Sequence, residues 1–171
     1  GYEVLTPVQQ EVSKPELDNS DLLVSAQTGS GKTVGFGIAI APNLLPDDAG
    51  FARADAPLGL VIAPTRELAM QVKRELQWLY AEAGVVMASC VGGMDMRDER
   101  RALERGAHIV VATPGRLRDH IMRKTIDLSQ VRAVVLDEAD EMLDLGFAED
   151  LELILEETPE TRRTLLFSAT V

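Results

Sequence analysis

The sequence predicts an α/β domain in which helices cover both faces of a parallel β-sheet. Short apolar runs recur at 21–25, 58–63, 85–90, 108–112, 132–136 and 164–168. They are apolar on successive residues, as in strands that are buried on both faces. Helical patterns lie between them, and the clearest one places Leu68, Val72, Leu76 and Leu79 on one side. Strands and helices in alternation form a parallel sheet through right-handed crossovers.

Composition limits the classes of function. The 171 residues fit one domain, and a net charge of −11 argues against broad, non-specific binding to nucleic acid. Any contact with nucleic acid must therefore be local. No apolar run approaches the roughly 20 residues of a membrane span, and the first residues lack a signal-peptide pattern. Cys90 is the only cysteine, so it has no disulfide partner in the chain, and we expect a cytoplasmic location.

Polar segments follow all six predicted strands. In order they are AQTGSGKT, PTREL, VGG, TPGR, DEAD and SAT. Because the carboxyl ends of parallel strands share one edge of a sheet, and open α/β folds bind ligands there, we expect these segments to converge on one site.

The first segment, Ala26 to Thr33, has the context of a phosphate-binding loop between a strand and a helix. Its glycines let the backbone approach phosphate oxygens, Lys32 can reach the β- and γ-phosphates, and Thr33 can place its hydroxyl on Mg²⁺. The strict pattern requires glycine where this chain has Ala26, so a glycine-rich turn that merely ends a strand is the alternative. The predicted nucleotide-binding residues are Gln27, Thr28, Gly29, Ser30, Gly31, Lys32 and Thr33.

The stretch VVLDEADEML, at 134–143, supplies the acidic half of a nucleotide site. Asp137 is predicted to bind Mg²⁺, directly or through water. Neighbours on an extended chain point to opposite sides, so Glu138 is predicted to face and deprotonate an attacking water. Until metal and nucleotide bind, Asp137 needs Lys32 or water as its partner. The alternative is an acid-rich helix start, which we prefer for Glu141 and Asp144.

The remaining polar residues are interpreted as scaffold. The run at 97–106 reads as a solvated helical face, with Arg100 four residues before Glu104. His108 and His120 have no cysteine or histidine at ligand spacing, so we expect structural roles for both. Cys90 is predicted to be a small buried hydrophobe.

The ordered motifs resemble those of one family over essentially the whole chain. AQTGSGKT, PTRELA, Gly92-Gly93, TPGR, DEAD and SAT together resemble the first RecA-like domain of a DEAD-box RNA helicase. VLDEADEMLDLGF resembles bacterial members. The start, GYEVLTPVQ, resembles the family's adenine-reading motif, which implies that Gln9 contacts the adenine edge and that Thr6 supports it.

The resemblance implies roles for individual residues and ATP with Mg²⁺ as cofactors. Lys32, Asp137 and Glu138 would be catalytic, and Asp140 would couple the nucleotide site to Ser168 and Thr170. The implied contacts to the RNA backbone are Pro64, Thr65, Arg66, Gly92, Gly93, Thr113, Pro114, Gly115 and Arg116. Such contacts read phosphate and 2′-hydroxyl groups rather than base sequence. Thr65 and Thr113 also fit ordinary helix caps.

The resemblance also implies what lies outside residues 1–171. The chain has no initiator methionine, which suggests an excised piece. The family's adenine-stacking aromatic would lie upstream, and a second RecA-like domain of the same polypeptide would carry arginine fingers. The piece alone is expected to bind nucleotide weakly and hydrolyse it little. Two alternatives stay open, a DNA-directed translocase ATPase on the same scaffold and a non-catalytic, nucleotide-dependent interaction module.

Overall fold

A six-stranded, fully parallel β-sheet forms the centre of the protein in a computed structural model, which describes residues 20–25, 31–45 and 55–169. The strands are β1 (Leu22–Ser25), β2 (Gly59–Ile62), β3 (Met87–Cys90), β4 (Ile109–Ala112), β5 (Ala133–Leu136) and β6 (Arg163–Ser168). Their spatial order is β1-β6-β5-β2-β4-β3. All six predicted strands and the predicted fold class are therefore confirmed.

Six α-helices connect the strands within the described residues. They are α1 (Lys32–Leu44), α2 (Arg66–Leu79), α3 (Met96–Arg105), α4 (Pro114–Met122), α5 (Ala139–Asp144) and α6 (Ala148–Glu156). Local sequence explains where several of these helices start. The Thr65 hydroxyl accepts from the Leu68 N–H, Asp95 accepts from the Arg97 N–H, and proline takes the first position of α4. None of these helices is long and apolar enough to cross a membrane.

Each face of the sheet has its own hydrophobic cluster. On one face, α1 and α2 bury side chains such as Ile40 and Leu76 against Val61. On the other face, helices α3 to α6 bury side chains that include Met142 against Leu60. Burial on both faces is the physical reason for the non-alternating apolar strands.

The strand register brings the carboxyl ends to one edge. Ile62 pairs with both Ala112 and Leu136, and Cys90 also pairs with Ala112. At the other side of the sheet, Ser25 pairs with Ser168. The segments that follow these residues therefore leave the sheet along a shared rim.

Helices α1 and α2 approach closely at Gly37. A Cβ added there would lie 2.6 Å from Leu79 Cδ2 and 2.9 Å from Leu76 Cδ2. The buried Tyr80 hydroxyl donates to the Gly37 carbonyl oxygen. Burial strongly raises the pKa of this phenol, so it stays protonated and able to donate at neutral pH.

We expect Gly37→Ala to lower the free energy of unfolding by about 1–3 kcal/mol, because crowding of α2 outweighs the better helix propensity of alanine. Denaturant unfolding checks this. The double variant Gly37→Ala/Leu79→Ala removes the nearer clashing methyl. Its loss in free energy of unfolding should be smaller than the sum of the losses in the two single variants. A more stable Gly37→Ala variant would contradict the close approach.

Candidate functional site

The nucleotide side of the rim begins at helix α1. Gly31 directly precedes it with φ 77°, a left-handed conformation that suits glycine, and Lys32 is its first residue. Lys32 and Thr33 are both buried. Of the predicted nucleotide-binding residues, Thr6, Gln9, Gln27, Thr28, Gly29 and Ser30 lie outside the described residues.

Asp137 lies at the end of β5 and is fully buried. Its N–H continues the strand ladder by donating to the Ile62 carbonyl oxygen at 2.8 Å. The Lys32 ammonium lies 2.8 Å from Asp137 Oδ1, which confirms the expected partner. The contact is an ion pair rather than a well-directed hydrogen bond, and neither carboxylate oxygen accepts an aligned hydrogen bond from a described residue.

Burial and charge act in opposite directions on this pair. Burial raises the pKa of the Asp137 carboxyl above its ordinary value, and the positive charge of Lys32 offsets only part of that rise. Burial alone would lower the pKa of Lys32, but the negative charges of Asp137 and Glu138, with the hydrogen bond to Glu138, outweigh burial, so that pKa is also raised. Lys32 therefore stays charged, while Asp137 is a carboxylate short of ligands.

Glu138 departs from the extended conformation that the sequence suggested. Its φ and ψ are both 52°, a left-handed conformation in which a residue other than glycine is strained. Glu138 shares the partner of Asp137, which an extended chain would not require, because Lys32 Nζ also lies 3.4 Å from Glu138 Oε1. Hydrogen bonding with Glu138 is the largest cause of a raised pKa at the exposed Glu141.

The donor set fits a small, hard cation. Asp137 offers buried carboxylate oxygens without aligned hydrogen-bond donors among the described residues, and Thr33 offers a hydroxyl at the start of α1. Oxygen ligands of this kind are those that Mg²⁺ prefers. Nowhere in the described residues, this site included, do three or more histidine, cysteine, aspartate or glutamate side chains form a group that could hold a metal ion.

Two of the residues predicted to couple the site to RNA, Asp140 and Ser168, lie within the described structure. Asp140 is in the first turn of α5, which packs beside β6, and the buried Ser168 ends β6. Thr170 lies outside the described residues. The predicted coupling role stays a prediction.

Two predicted RNA-contact segments meet beside β3. Pro64 is buried, Thr65 is the cap of α2, and Arg66 is exposed at the helix start. Gly92 is also exposed, and Gly93 has φ 83°. The Arg66 guanidinium lies so close to Gly93 that an added Cβ would collide with it. The left-handed backbone conformation therefore favours glycine at 93, while the arginine is a flexible side chain that can shift.

The TPGR segment begins helix α4. Thr113 has an extended conformation and its side chain makes no capping hydrogen bond, whereas Pro114 is buried at the first helical position. The first helical hydrogen bond runs from the Leu117 N–H to the Thr113 carbonyl oxygen. The N–H groups of the exposed Gly115 and of Arg116 therefore have no partner inside the helix.

The interpretation of residues 97–106 as a solvated face is only partly correct. The helix exists, and Arg100 pairs with Glu104 at 3.7 Å on its exposed side. Glu99, however, points inward, and its carboxylate bonds the Val91 N–H, Arg116 and His120. The burial of Glu99 was not predicted, because the surrounding charged residues indicate only an exposed helix.

The other scaffold predictions agree with the structure. His108 is buried, and its Nδ1 accepts from the Val86 N–H at 2.8 Å. Cys90 is fully buried. Burial, with a smaller effect from the charge of Glu99, strongly raises the pKa of the Cys90 thiol, which therefore stays protonated at neutral pH.

Fold and site together define a phosphate-loop nucleotide-binding α/β domain: a parallel sheet, a buried lysine after a left-handed glycine, and a buried aspartate facing that lysine. A family model described as DEAD/DEAH box helicase matches residues 6–171, so the chain belongs to that family.

Curated relatives and a solved structure agree with this membership. The chain is 47% identical over 171 residues to the DEAD-box ATP-dependent RNA helicase CshA of Bacillus cereus, covering 100% of this chain and 31% of that relative. It is 44% identical over 171 residues to the ATP-dependent RNA helicase CshA of Limosilactobacillus reuteri, covering 100% of this chain and 33% of that protein. The chain thus spans about a third of the length of these relatives. The crystal structure of a DEAD box protein from the hyperthermophile Methanococcus jannaschii aligns with a TM-score of 0.85 and 38% identity, over 97% of this chain and 44% of that one.

We expect Lys32→Met to destabilise the protein by about 3 kcal/mol near pH 8 and by less near pH 5, because Asp137 loses its buried cation. The folded pKa of Asp137 would then rise further above its unfolded value of about 3.9, so stability falls as pH increases from that value to the folded pKa. The raised pKa of Lys32 affects stability only at strongly alkaline pH.

Denaturant unfolding between pH 5 and pH 8 measures this effect, with Lys73→Met at a half-buried position of α2 as the matched control. A difference between the two variants that does not change with pH would contradict the assigned ion pair.

Proposed function

We propose that this chain is the first RecA-like, ATP-binding domain of an ATP-dependent RNA helicase. The observation that supports this most strongly is the contact of Lys32 with both Asp137 and Glu138, on the edge where Gly92-Gly93 and TPGR also leave the sheet. A nucleotide site and a candidate nucleic-acid surface thus share one rim. Relatives at 44–47% identity are named ATP-dependent RNA helicases.

The proposed nucleotide roles follow from charge and position. Lys32 would exchange its carboxylate partners for the β- and γ-phosphates at the start of α1. Gln9 and Thr6 would select adenine. Mg²⁺, held by Thr33 and Asp137, would supply charge neutralisation for the phosphates. Glu138 would orient the attacking water and accept its proton.

The proposed RNA surface uses few, local contacts, which suits a chain of net charge −11. The N–H groups at the start of α4, from Gly115 and Arg116, are placed to bind phosphate. The exposed Arg66 and Gly92 would extend this surface. Contacts of this kind to sugar and phosphate bind RNA without reading its sequence.

The remaining partners and the location are also proposals. A second RecA-like domain of the same polypeptide would close on this rim, and the much greater length of the relatives supports that. Asp140, Ser168 and Thr170 would transmit closure between the nucleotide and RNA sites. A cytoplasmic location suits a protein that acts on RNA and keeps its single thiol buried.

We expect Glu138→Gln in the intact natural protein to lower RNA-stimulated kcat for ATP hydrolysis by about 10²–10⁴-fold, because the amide cannot accept the proton from water. ATP binding should be retained, since Lys32, Thr33 and Asp137 are unchanged. Steady-state phosphate release and equilibrium binding of a fluorescent ATP analogue measure the two effects, and Asp144→Asn, at an exposed position of α5, is the control.

The same assay separates the alternatives. Stimulation by single-stranded RNA, and not by DNA of the same sequence and length, supports the proposal. Equal stimulation by DNA would indicate a DNA-directed translocase. An unchanged rate in Glu138→Gln would reject Glu138 as the base, and an absence of hydrolysis in the intact protein would reject the enzyme itself.

A further inference from the structure

One buried carboxylate on helix α3 joins two other segments beneath the candidate RNA surface. Glu99 is 5% exposed. Its Oε2 accepts from the Val91 N–H at 2.8 Å, and its Oε1 accepts from Arg116 Nη1 at 3.0 Å and bonds His120 Nε2 at 2.9 Å. The Glu99 carboxylate accepts from all three groups when the His120 ring carries a proton on Nε2.

The chemistry of this cluster makes it rigid. A carboxylate that is almost fully removed from water requires compensation by hydrogen bonds and by an opposite charge. Val91, Arg116 and His120 supply three hydrogen bonds, and the guanidinium supplies the charge. His120 is itself fully buried and held by Thr125 Oγ1 at 2.6 Å from Nδ1. Movement of any one segment would leave a buried charge or donor unpaired.

Two of the groups bonded to Glu99, the Val91 N–H and the Arg116 guanidinium, belong to segments that adjoin or form the proposed RNA surface. Val91 directly precedes the exposed Gly92 and Gly93, and Arg116 is the last residue of TPGR. These two segments follow different strands, β3 and β4, and the Glu99 carboxylate bonds both. The Arg116 guanidinium is therefore held by the buried Glu99 carboxylate, so its side chain is not freely mobile.

We propose that Glu99 is a positioning residue for RNA binding, which fixes the Gly92-Gly93 turn and the start of α4 at the spacing that suits an RNA backbone. This inference rests on the proposed function. Glu99 does not touch RNA, because it is buried. It acts by holding the backbone N–H groups of both segments in place, so that binding does not have to order them.

The variant Glu99→Gln tests this geometry selectively. Its single carbonyl oxygen can keep the bond to the Val91 N–H, but its amide group then faces the Arg116 guanidinium, and both groups are donors. The substitution therefore releases the TPGR segment and changes side-chain volume very little. Glu104→Gln is the matched control, since it removes the same charge from the same helix at a side chain that is 66% exposed.

The experiment measures ATP hydrolysis by the intact natural protein against increasing concentrations of single-stranded oligouridine. We expect Glu99→Gln to raise the KM for RNA about tenfold or more, with kcat at saturating RNA within a factor of about two of the unmodified protein. Glu104→Gln should leave both values unchanged. A KM for RNA in Glu99→Gln equal to that of Glu104→Gln would overturn the inference.

Two further measurements keep the test decisive. Glu99→Asp retains the charge but shortens the side chain by one methylene, so it should also raise the KM for RNA. This variant replaces Glu99→Gln in the experiment if Glu99→Gln does not fold. In folded Glu99→Gln, amide hydrogen exchange should quicken locally at the Leu117 N–H, which donates to the Thr113 carbonyl oxygen in the first turn of α4; faster exchange along the whole sheet with an unchanged KM would indicate structural support alone and overturn the inference. If the unmodified protein is not stimulated by RNA, the proposed function fails and this inference fails with it, whereas stimulation without a KM effect rejects only the role of Glu99.

Discussion

The contact between Lys32 and Asp137 is the interaction on which the site depends. It joins the first residue of α1 to the end of β5, two elements that are more than 100 residues apart in sequence. Both groups are buried, and the pKa of the carboxyl is raised despite its cation. The pair thus joins the start of α1 to the end of β5 at a net electrostatic cost. A bound nucleotide and metal would relieve that cost, because they supply each partner with a stronger ligand.

The sheet was predictable from sequence because its physical cause is local. Burial on both faces demands apolar residues in succession, and each strand must end where polar residues begin. Parallel pairing then brings all six exits to one edge, so the pairing of Lys32 with Asp137 could also be expected from the motifs. Elements of this kind follow from composition along the chain and from the common direction of the strands.

The missed features depend on contacts between distant segments. Glu138 was expected to stay extended, but it ends the strand in a left-handed conformation that turns its carboxylate towards Lys32. Glu99 was placed on a solvated face because its neighbours are charged, and only the packing of α3 shows that it points inward. A helix pattern with seven charged residues among ten cannot reveal which one of them is buried. That information lies in Val91, Arg116 and His120, which a local pattern does not include.

The left-handed conformation of Glu138 lowers stability at a position whose side chain we propose is needed for catalysis. Glycine adopts that conformation without strain, so the fold alone would favour replacing Glu138. Such a replacement would remove the carboxylate that we propose as the base. Laboratory selection of this domain for survival at high temperature, without a requirement for turnover, would therefore tend to enrich inactive proteins at this position. The Glu138 side chain thus stands on a backbone conformation that favours glycine.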